Sequence, residues 1–524
     1  MHAVRHTARS LVLLTTRLLS ATLLLTATPL LADTVVPGGN VSGAWTAAGS
    51  PYLVQGSITV PAGATLTLEP GVVVFTSLDQ EITVQGTLEA VGTEAAPIVF
   101  TGPTGAGWGG LRITGADAAA VLEHCTVEHG DRQGAFDEGG GVACYDGAVT
   151  LRACSIIDNT SYLDGAGVYA INAQVVIEDC EIARNLIDGA NSAAGGGVYA
   201  ENCQVEIRGS RIHHNRVETF TFFGATNSHG GGVALELSGG VVEDCLIDGN
   251  YVTHSGTATA SLGGGLYAYA HFQKTLLLRG NTVAGNQVNY NNAHGGGIYL
   301  VGYSVELSDN LITGNIGHGL WCDGGIETAV IHHNDVWGNS AGAYGGAFVP
   351  TGVGQITQAN VNGDPCDAFF NIAENPLYTA PSQGDYTLMP GSPAIDAGDP
   401  ASPVDPDGTV ADLGAFYHHQ AAAAVRTTTH GTRLSMLRGA QPAPMTSRTT
   451  ITYRLPRDGR VRLGIYDLRG SEVRTLVDGV QPAGERSVAF DGRDESGRDL
   501  PAGTYLYRLQ ADGRFETRKI AVLR

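Results

Sequence analysis

The stretch GGGVYAENCQVEIRGSRIHHN, residues 195–215, decides the fold because the chain repeats it in altered form. Residues 167–185 read GVYAINAQVVIEDCEIARN, and residues 297–315 read GIYLVGYSVELSDNLITGN. Each copy contains Gly, an apolar or aromatic pair, an alternating run, a small residue and finally Asn. The repeated unit, and not any single motif, is the feature that a fold must explain.

The repeat predicts an all-β solenoid. Apolar residues alternate between its Gly and its Asn, as in Val205 and Ile207, which is typical of short strands with one buried face. Strand repeats of this length indicate stacked coils, each about 4.8 Å above the last. We therefore predict that the recurring asparagines form a hydrogen-bonded ladder: Asn159, Asn185, Asn215, Asn250, Asn286, Asn315 and Asn339.

The small residue five positions before each Asn predicts a second stacked column. Four of the eight cysteines fall in it: Cys125, Cys154, Cys180 and Cys245. This periodic placement favours buried thiols. Cysteines in an exported protein also form disulfides, and Cys322 with Cys366, outside the main column, is the pair to test first.

Composition and the N-terminus point to an exported protein. Lys+Arg of 30 against Asp+Glu of 51 gives a net charge of -21, which argues against nucleic acid or an anionic membrane as partner. Residues 1–32 have a basic start and an apolar stretch ending in small residues, so we predict a signal peptide cleaved after Ala32. No transmembrane segment is expected after its removal, and the predicted location is secreted or cell-surface.

The repeats resemble the right-handed parallel β-helix of the pectate-lyase-like superfamily over roughly residues 34–400, and the predicted β-helix domain spans residues 33–417. PAGATLTLEPG, residues 61–71, is similar to the first coils of secreted β-helices, and residues 384–417 resemble the closing segment of such helices. The resemblance implies a right-handed parallel β-helix with an N-terminal cap and a C-terminal closing segment.

A second domain is predicted after a linker at residues 418–433. Residues 434–524 contain TTITYRLP, VRLGIYDLRG and DGRDESGRDLPAGTYLYRL, alternating segments separated by turns that indicate a small β-sandwich. They resemble the Ig-like C-terminal sorting domains of type IX secretion substrates, which are related to the Ig-like domain of flagellar hook-capping proteins. The resemblance implies the secretion machinery as a partner. The usual Asn-Pro-Phe-like turn is replaced by PAPM, residues 442–445.

The sequence contains one short motif of a polysaccharide-degrading family but not the rest of that family's catalytic segments. Gly317, His318 and Gly319 match the Gly-His-Gly of polygalacturonases, but the Asn-Thr-Asp, Asp-Asp and Arg-Ile-Lys segments of that family are absent. We assign no catalytic residue and expect a non-catalytic glycan-binding or adhesive protein. The alternative is a divergent polysaccharide lyase or glycoside hydrolase, which three or more charged groups converging in one groove would favour.

No metal or cofactor is assigned. Consecutive strand residues point to opposite faces, so the pairs His213–His214 and His332–His333 are interpreted as structural. Ca²⁺ is possible at two acidic turns, although turn chemistry explains both: Asp405 with Asp407, and Asp491 with Asp494 and Glu495.

The longest inserts between the repeat Asn and the next Gly predict a binding surface. Coils in register place these inserts along one edge, and aromatic rings beside amides suit sugar binding. We therefore predict a polysaccharide or cell-surface glycan as partner, although the rings could instead pack as a local core. The predicted residues are Phe220, Phe222, Phe223, Tyr251, Tyr290 and Asn291.

Overall fold

The structure is a computed structural model that describes two separate units. The described residues are 33–104, 107–132, 134, 138–190, 192–221, 227–256, 260–270, 274–289, 293–302, 304–324, 329–420, 437–441, 445, 447–455, 459–466, 472–511 and 514–523. The predicted signal peptide and most of the predicted linker lie outside these residues. The units divide at Gln420.

The first unit is a β-helix in which each coil contributes one strand to each of three parallel sheets. The first sheet contains Thr34–Val36, Tyr52–Val54, Val73–Thr76, Ile98–Thr101, Cys125–Glu128, Ser155–Ile157, Glu181–Ala183, Arg211–His213, Leu246–Asp248, Thr282–Ala284, Leu311–Thr313 and Asp335–Trp337. The second contains Gly39–Asn40, Ile58–Val60, Ile82–Val84, Leu111–Thr114, Val142–Tyr145, Val168–Ile171, Val198–Glu201, Val233–Glu236, Leu266–Ala270, Ile298–Gly302, Leu320–Asp323 and Tyr344–Gly345. The third contains Gly43–Trp45, Thr65–Leu68, Thr87–Val91, Ala119–Glu123, Ala148–Arg152, Gln174–Glu178, Gln204–Arg208, Gly239–Glu243, Leu276–Arg279, Val305–Ser308 and Val330–His332.

Left-handed residues turn the chain at the corners between sheets. Over two successive coils these include Asp179, Asn202 and His214, with φ of 53°, 53° and 54°. Such a φ is unusual outside glycine and is best tolerated by short polar side chains, which the repeat supplies. The residue after each of them is buried, so one strained position per corner directs the next side chain inward.

The interior of the coils is a continuous apolar core. The alternating residues Val205 and Ile207 of the third sheet, and Ile212 of the first, are fully buried in it. Burying such a side chain contributes about 1.5–3 kcal/mol. The all-β solenoid predicted from the repeat and the right-handed parallel β-helix implied by the resemblance are confirmed.

The inserts form strands of their own beside the corner between the first and second sheets. One lateral sheet contains Asp131–Arg132, Thr160–Ser161, Leu186–Ala190, Arg216–Thr221, Tyr251–Gly256 and Gln287–Asn289. A smaller one contains Asn227–His229, Ala260–Leu262 and Ala293–His294. The first has a separate small core that includes Ile187, Val217 and Val252. The inserts therefore share one edge, as expected, but they continue the coil and are not simple loops.

The end of the β-helix is covered by residues before the predicted closing segment. Val353 completes the main core, and Asn371 accepts hydrogen bonds from Asn334 at the end of the second column. Residues 384–417 lie along the first sheet instead: Gly414 N–H donates to Asp309 O at 2.8 Å, and Ala415 N–H to Thr282 Oγ1 at 3.0 Å. Short strands in this region are Gln358–Ala359, Pro365–Cys366, Tyr378–Ala380 and Asp385–Leu388, and Pro381–Gln383 is a short 3₁₀ helix. A second short 3₁₀ helix, Ala47–Gly49, lies in the first coil.

The second unit is an antiparallel sandwich, which confirms the predicted Ig-like domain. Its sheets contain Leu437–Gln441, Thr449–Leu455 and Gly484–Phe490, and Glu472–Gln481, Gly459–Tyr466, Gly503–Ala511 and Arg514–Val522. Ile451, Leu463 and Leu509 are fully buried in its core. Met445, which ends the PAPM stretch, is also buried, and its N–H donates to Ala521 O at 2.9 Å.

Candidate functional site

The predicted insert surface is only partly brought together. Phe220 is 38% exposed near the end of one lateral strand, and Tyr251 begins the next. Tyr251 pairs with Arg216 while Phe220 pairs with Ser255, so the two residues are four strand positions apart, roughly 13 Å along the strands. Phe222, Phe223, Tyr290 and Asn291 lie outside the described residues.

The predicted asparagine positions form a continuous ladder. Asn215 Nδ2 donates to Asn250 Oδ1 at 3.0 Å and to Ile182 O at 2.8 Å. Asn215 Oδ1 accepts from the N–H and the Nδ2 of Asn185, at 3.1 and 2.9 Å. The same pattern recurs from Asn159 to Asn339, all as structural contacts.

A longer row of aromatic and ionisable side chains lies on the outer face of the second sheet, which we call the tyrosine face. Its first column contains, in register, Ala143, Tyr169, Tyr199, Ala234, Tyr267, Tyr299 and Trp321. The rings of Tyr169 and Tyr199 stack at 5.4 Å, and those of Tyr267 and Tyr299 at 5.6 Å. Tyr169, Tyr199 and Tyr299 are buried, and the first two pack in a small apolar cluster with Ala143, Ala194 and Ala234.

Carboxylates meet these hydroxyls along the face. Tyr299 Oη donates to Asp323 at 2.6 Å, and Tyr199 Oη to Glu201 at 3.3 Å. The hydrogen bond from Tyr299 lowers the pKa of Asp323. In the second outward column Tyr269 is 38% exposed beside Glu236. Along the face, buried tyrosines therefore alternate with half-buried carboxylates, and the ring of Tyr269 is exposed.

Asp164 is the most perturbed carboxyl group of this face. Burial, reinforced by Glu236, Glu138 and Glu201, raises its pKa to about 7, although the N–H of Ala194 donates to it at 2.7 Å. Like charges sharing a site disfavour ionisation. Burial and these like charges therefore favour the protonated form of Asp164 more than that of an ordinary carboxyl group.

Histidines and arginines extend the face. His229 Nε2 lies 2.6 Å from Glu236 Oε1, and its ring lies 4.1 Å from that of Tyr267. Toward the N-terminal coils, Arg112 Nη2 donates to Tyr145 Oη at 2.9 Å, and Arg132 pairs with Glu81 at 3.0 Å. The two arginines thus lie at one end of the face and share the carboxylate of Glu81, while Glu201 and Glu236 lie in its middle.

His318 of the Gly-His-Gly motif is an aromatic neighbour at the far end of the face. Its ring packs edge-on against Trp321 at 4.9 Å, and burial together with His294 lowers its pKa. His294 stacks on Trp321 at 3.8 Å. These contacts assign His318 a packing role.

The prediction that the two histidines of each pair point to opposite faces is wrong. His213 and His214 bring their Nδ1 atoms to 2.9 Å, and His332 and His333 bring theirs to 3.0 Å. The second residue of each pair is left-handed, with φ of 54° and 50°, so strand alternation ends at the corner and both rings converge.

The acidic turns show ordinary turn chemistry. Asp407 Oδ1 accepts from Thr409 Oγ1 at 2.7 Å, and Asp494 Oδ1 accepts from the N–H groups of Ser496 and Arg498, both at 2.9 Å. All eight cysteines are buried thiols without a disulfide, including Cys322 and Cys366.

The sequence analysis did not predict the tyrosine face, because it interpreted the aromatic position of each repeat as part of the fold alone. The aromatic residue two positions after the repeat Gly was visible at Gly167, Gly197, Gly265 and Gly297. It points outward on a strand whose neighbours carry the same residue type. The carboxylates carry no such period and are joined only by strand pairing.

Comparison with known proteins agrees with both units. The model for the right handed beta helix region matches residues 104–228 and 140–356, and the model for the FlgD Ig-like domain matches residues 442–514. No curated protein matches the chain. Within the described residues, no helix has the length and apolar character needed to cross a membrane. The chain therefore combines a right-handed β-helix with a C-terminal Ig-like domain of the FlgD type.

Proposed function

We propose that this chain is a secreted or cell-surface β-helix protein that binds an extended polysaccharide along the tyrosine face. The single observation behind this is the row of tyrosine hydroxyls paired with carboxylates, as at Tyr199–Glu201 and Tyr299–Asp323. Sugar hydroxyls are recognised by such acceptors, and exposed rings such as Tyr269 stack on their apolar faces. The row follows the helix axis, which suits a linear polymer.

The charge of the face favours an uncharged glycan. Asp164, Glu201, Glu236 and Asp323 would repel polyuronates and sulfated chains. Neutral polysaccharides meet no such penalty and offer many hydroxyl donors to the carboxylates. We therefore expect neutral glycans to bind more tightly than acidic ones at equal chain length.

The test is a glycan array with the full chain, followed by titration of the best neutral oligosaccharide. Tyr269→Ala and Glu201→Gln should each weaken binding about tenfold, since they remove a stacking surface and an acceptor. Phe220→Ala serves as the control on the insert surface and should bind normally. A tenfold loss of glycan binding in Phe220→Ala, with normal binding by the other two variants, would place the site on the inserts. Absence of binding to any glycan would refute the proposal.

Hydrolysis of the bound glycan is the second candidate function, carried by the raised pKa of Asp164. Glycoside hydrolysis needs one protonated and one ionised carboxyl group, and Asp164 lies near Glu138, Glu201 and Glu236. New reducing ends that disappear in Asp164→Asn would establish hydrolysis, whereas unsaturated ends would indicate a lyase. Binding without either product would leave a non-catalytic adhesin.

The second unit is proposed to direct export through the type IX route. The support is its match to the FlgD Ig-like model together with the motifs of residues 449–509. Removal of residues 434–524 should leave the chain in the periplasm, whereas the full chain should reach the cell surface or medium. Equal export of both forms would contradict this role.

A further inference from the structure

Two histidines and a distant aspartate converge beside the end of the third sheet. His332 ends the strand Val330–His332, and His333 turns left-handed with φ of 50°. Their Nδ1 atoms are 3.0 Å apart, and Asp399 Oδ2 lies 3.6 Å from His332 Nδ1. One ligand atom from each of the three residues therefore fits within 4.8 Å of the others.

The surrounding residues hold this cluster in place. Asp309 is buried and accepts from the N–H of Asp399 at 2.6 Å, and its other oxygen accepts from Ser402 Oγ. The ring of His333 stacks on Phe370 at 4.9 Å. Two hydrogen bonds to Asp309 thus hold the segment that carries Asp399 against the coil. This segment lies far from His333 in the sequence, by 66 positions.

The distances suit a small divalent transition-metal ion. Zinc binds imidazole nitrogen at about 2.0–2.1 Å and carboxylate oxygen at about 2.0–2.2 Å, so ligand atoms around a tetrahedral ion lie roughly 3.3–3.5 Å apart. The observed separations of 3.0 and 3.6 Å bracket that value. Two imidazoles with one carboxylate match Zn²⁺ or Co²⁺, whereas Ca²⁺ and Mg²⁺ prefer oxygen ligands alone.

The outer side of His332 also fits a metal ligand. Its second ring nitrogen, Nε2, lies 3.7 Å from Glu306 Oε1. A metal-bound histidine usually presents its other nitrogen to a carboxylate or carbonyl group, which fixes the ring and strengthens the ligand. Glu306 is therefore placed as a positioning residue and not as a ligand.

We propose that His332, His333 and Asp399 bind one Zn²⁺-like ion, which fastens the segment along the first sheet to the last coils. Three protein ligands leave a fourth position for water or a partner group. The ion would link Asp399 directly to the coil that carries the two histidines.

The chain contains its own control for this proposal. His213 and His214 repeat the corner geometry, with Nδ1 atoms 2.9 Å apart and φ of 54° at His214. Their carboxylate, Glu181, instead lies 3.1 Å from Nε2 of His213, on the opposite ring nitrogen. That pair lacks a third group converging on its Nδ1 atoms among the described residues. It therefore tests whether two histidines at such a corner are sufficient.

The experiment titrates the untagged full chain with ZnCl₂ by calorimetry after removal of metal, and repeats the titration with Co²⁺ and CaCl₂. We expect one Zn²⁺ per chain, a Co²⁺ visible spectrum of low-symmetry coordination and no response to Ca²⁺. His333→Asn and Asp399→Asn should abolish saturable binding, Glu306→Gln should weaken it about tenfold, and His214→Asn should leave it unchanged.

Stability provides a second readout. Zn²⁺ should raise the melting temperature of the wild-type chain and of His214→Asn but not of Asp399→Asn, because a ligand stabilises only the state that binds it. If His333→Asn does not fold, the near-isosteric Asp399→Asn decides alone. Absence of saturable Zn²⁺ binding, binding that survives Asp399→Asn, or equal loss in His214→Asn would overturn the proposal. Glycan binding is measured separately and is unaffected by any of these outcomes.

Discussion

At the scale of single residues, the buried amides of the ladder connect every coil to the next. Each internal asparagine serves as donor to one coil and acceptor for another, as Asn215 does for Asn250 and Asn185. Buried polar groups are costly when they are unpaired, and here each amide is paired only when neighbouring coils stack in the correct register. The ladder therefore favours that register over others. Loss of one member leaves partners on both sides unsatisfied.

Replacing Asn215 with alanine should therefore cost about 3 kcal/mol of local stability. It strands the Nδ2 and N–H of Asn185 and the carbonyl of Ile182. The measurement is the urea midpoint followed by circular dichroism. Asn172→Gly is the control, because Asn172 is left-handed and its bond to Asp146 is exposed. A midpoint shift no larger than that of the control would show that the ladder contributes little.

The raised pKa of Asp164 predicts a pH dependence of stability. Burial and neighbouring carboxylates raise its folded pKa to about 7, above the ordinary value of 3.8. Between these values the folded state binds the extra proton, so its contribution is complete below about pH 4 and is lost as the pH rises through 7. Asp164→Asn should flatten this decline in a series of melting curves, while the exposed Asp117→Asn should retain it. Identical profiles for all three proteins would contradict the shift.

At the scale of elements, the lateral sheet and the coils have separate cores, although the strands of both belong to parallel sheets. Ile187, Val217 and Val252 pack with one another beside the corner, whereas Ile207 packs inside the coils. Separate cores of this kind open independently when one is weakened. The lateral sheet is therefore expected to be the less stable of the two.

The same substitution in each core should separate local from general unfolding. Ile187→Ala should remove about 2–4 kcal/mol from the lateral sheet alone, and Ile207→Ala a similar amount from the coils. Hydrogen exchange should quicken only at residues 186–190, 216–221 and 251–256 in the first variant, with an unchanged melting temperature. Ile207→Ala should lower the melting temperature. A general loss in both variants would show that the two cores unfold as one.

At the scale of the whole molecule, the periodic part of the sequence predicted the architecture, and the aperiodic part did not predict the site. Stacking repeats identical positions, so Asn and Cys columns can be aligned by hand. His333 and Asp399 meet only because a corner residue is left-handed and a later segment folds back on the first sheet. Likewise, Asp164 lies in a bend before the strand Val168–Ile171, whereas Glu236, which raises its pKa, ends a strand two coils further on. Neither juxtaposition leaves a spacing that the sequence alone reveals.

The cysteines allow a test of the packing of the entire β-helix. All eight are buried and free, and burial raises the pKa of Cys144, Cys245 and Cys322 to about 12. Because all eight thiols are buried and out of reach of the reagent, a thiol reagent at pH 8 should label none of them in the native chain. In urea without reductant all eight should react, since Cys322 and Cys366 lie in different apolar clusters. Six reactive thiols would instead reveal one disulfide, and rapid labelling of the native chain would show that coils open where the structure has them closed.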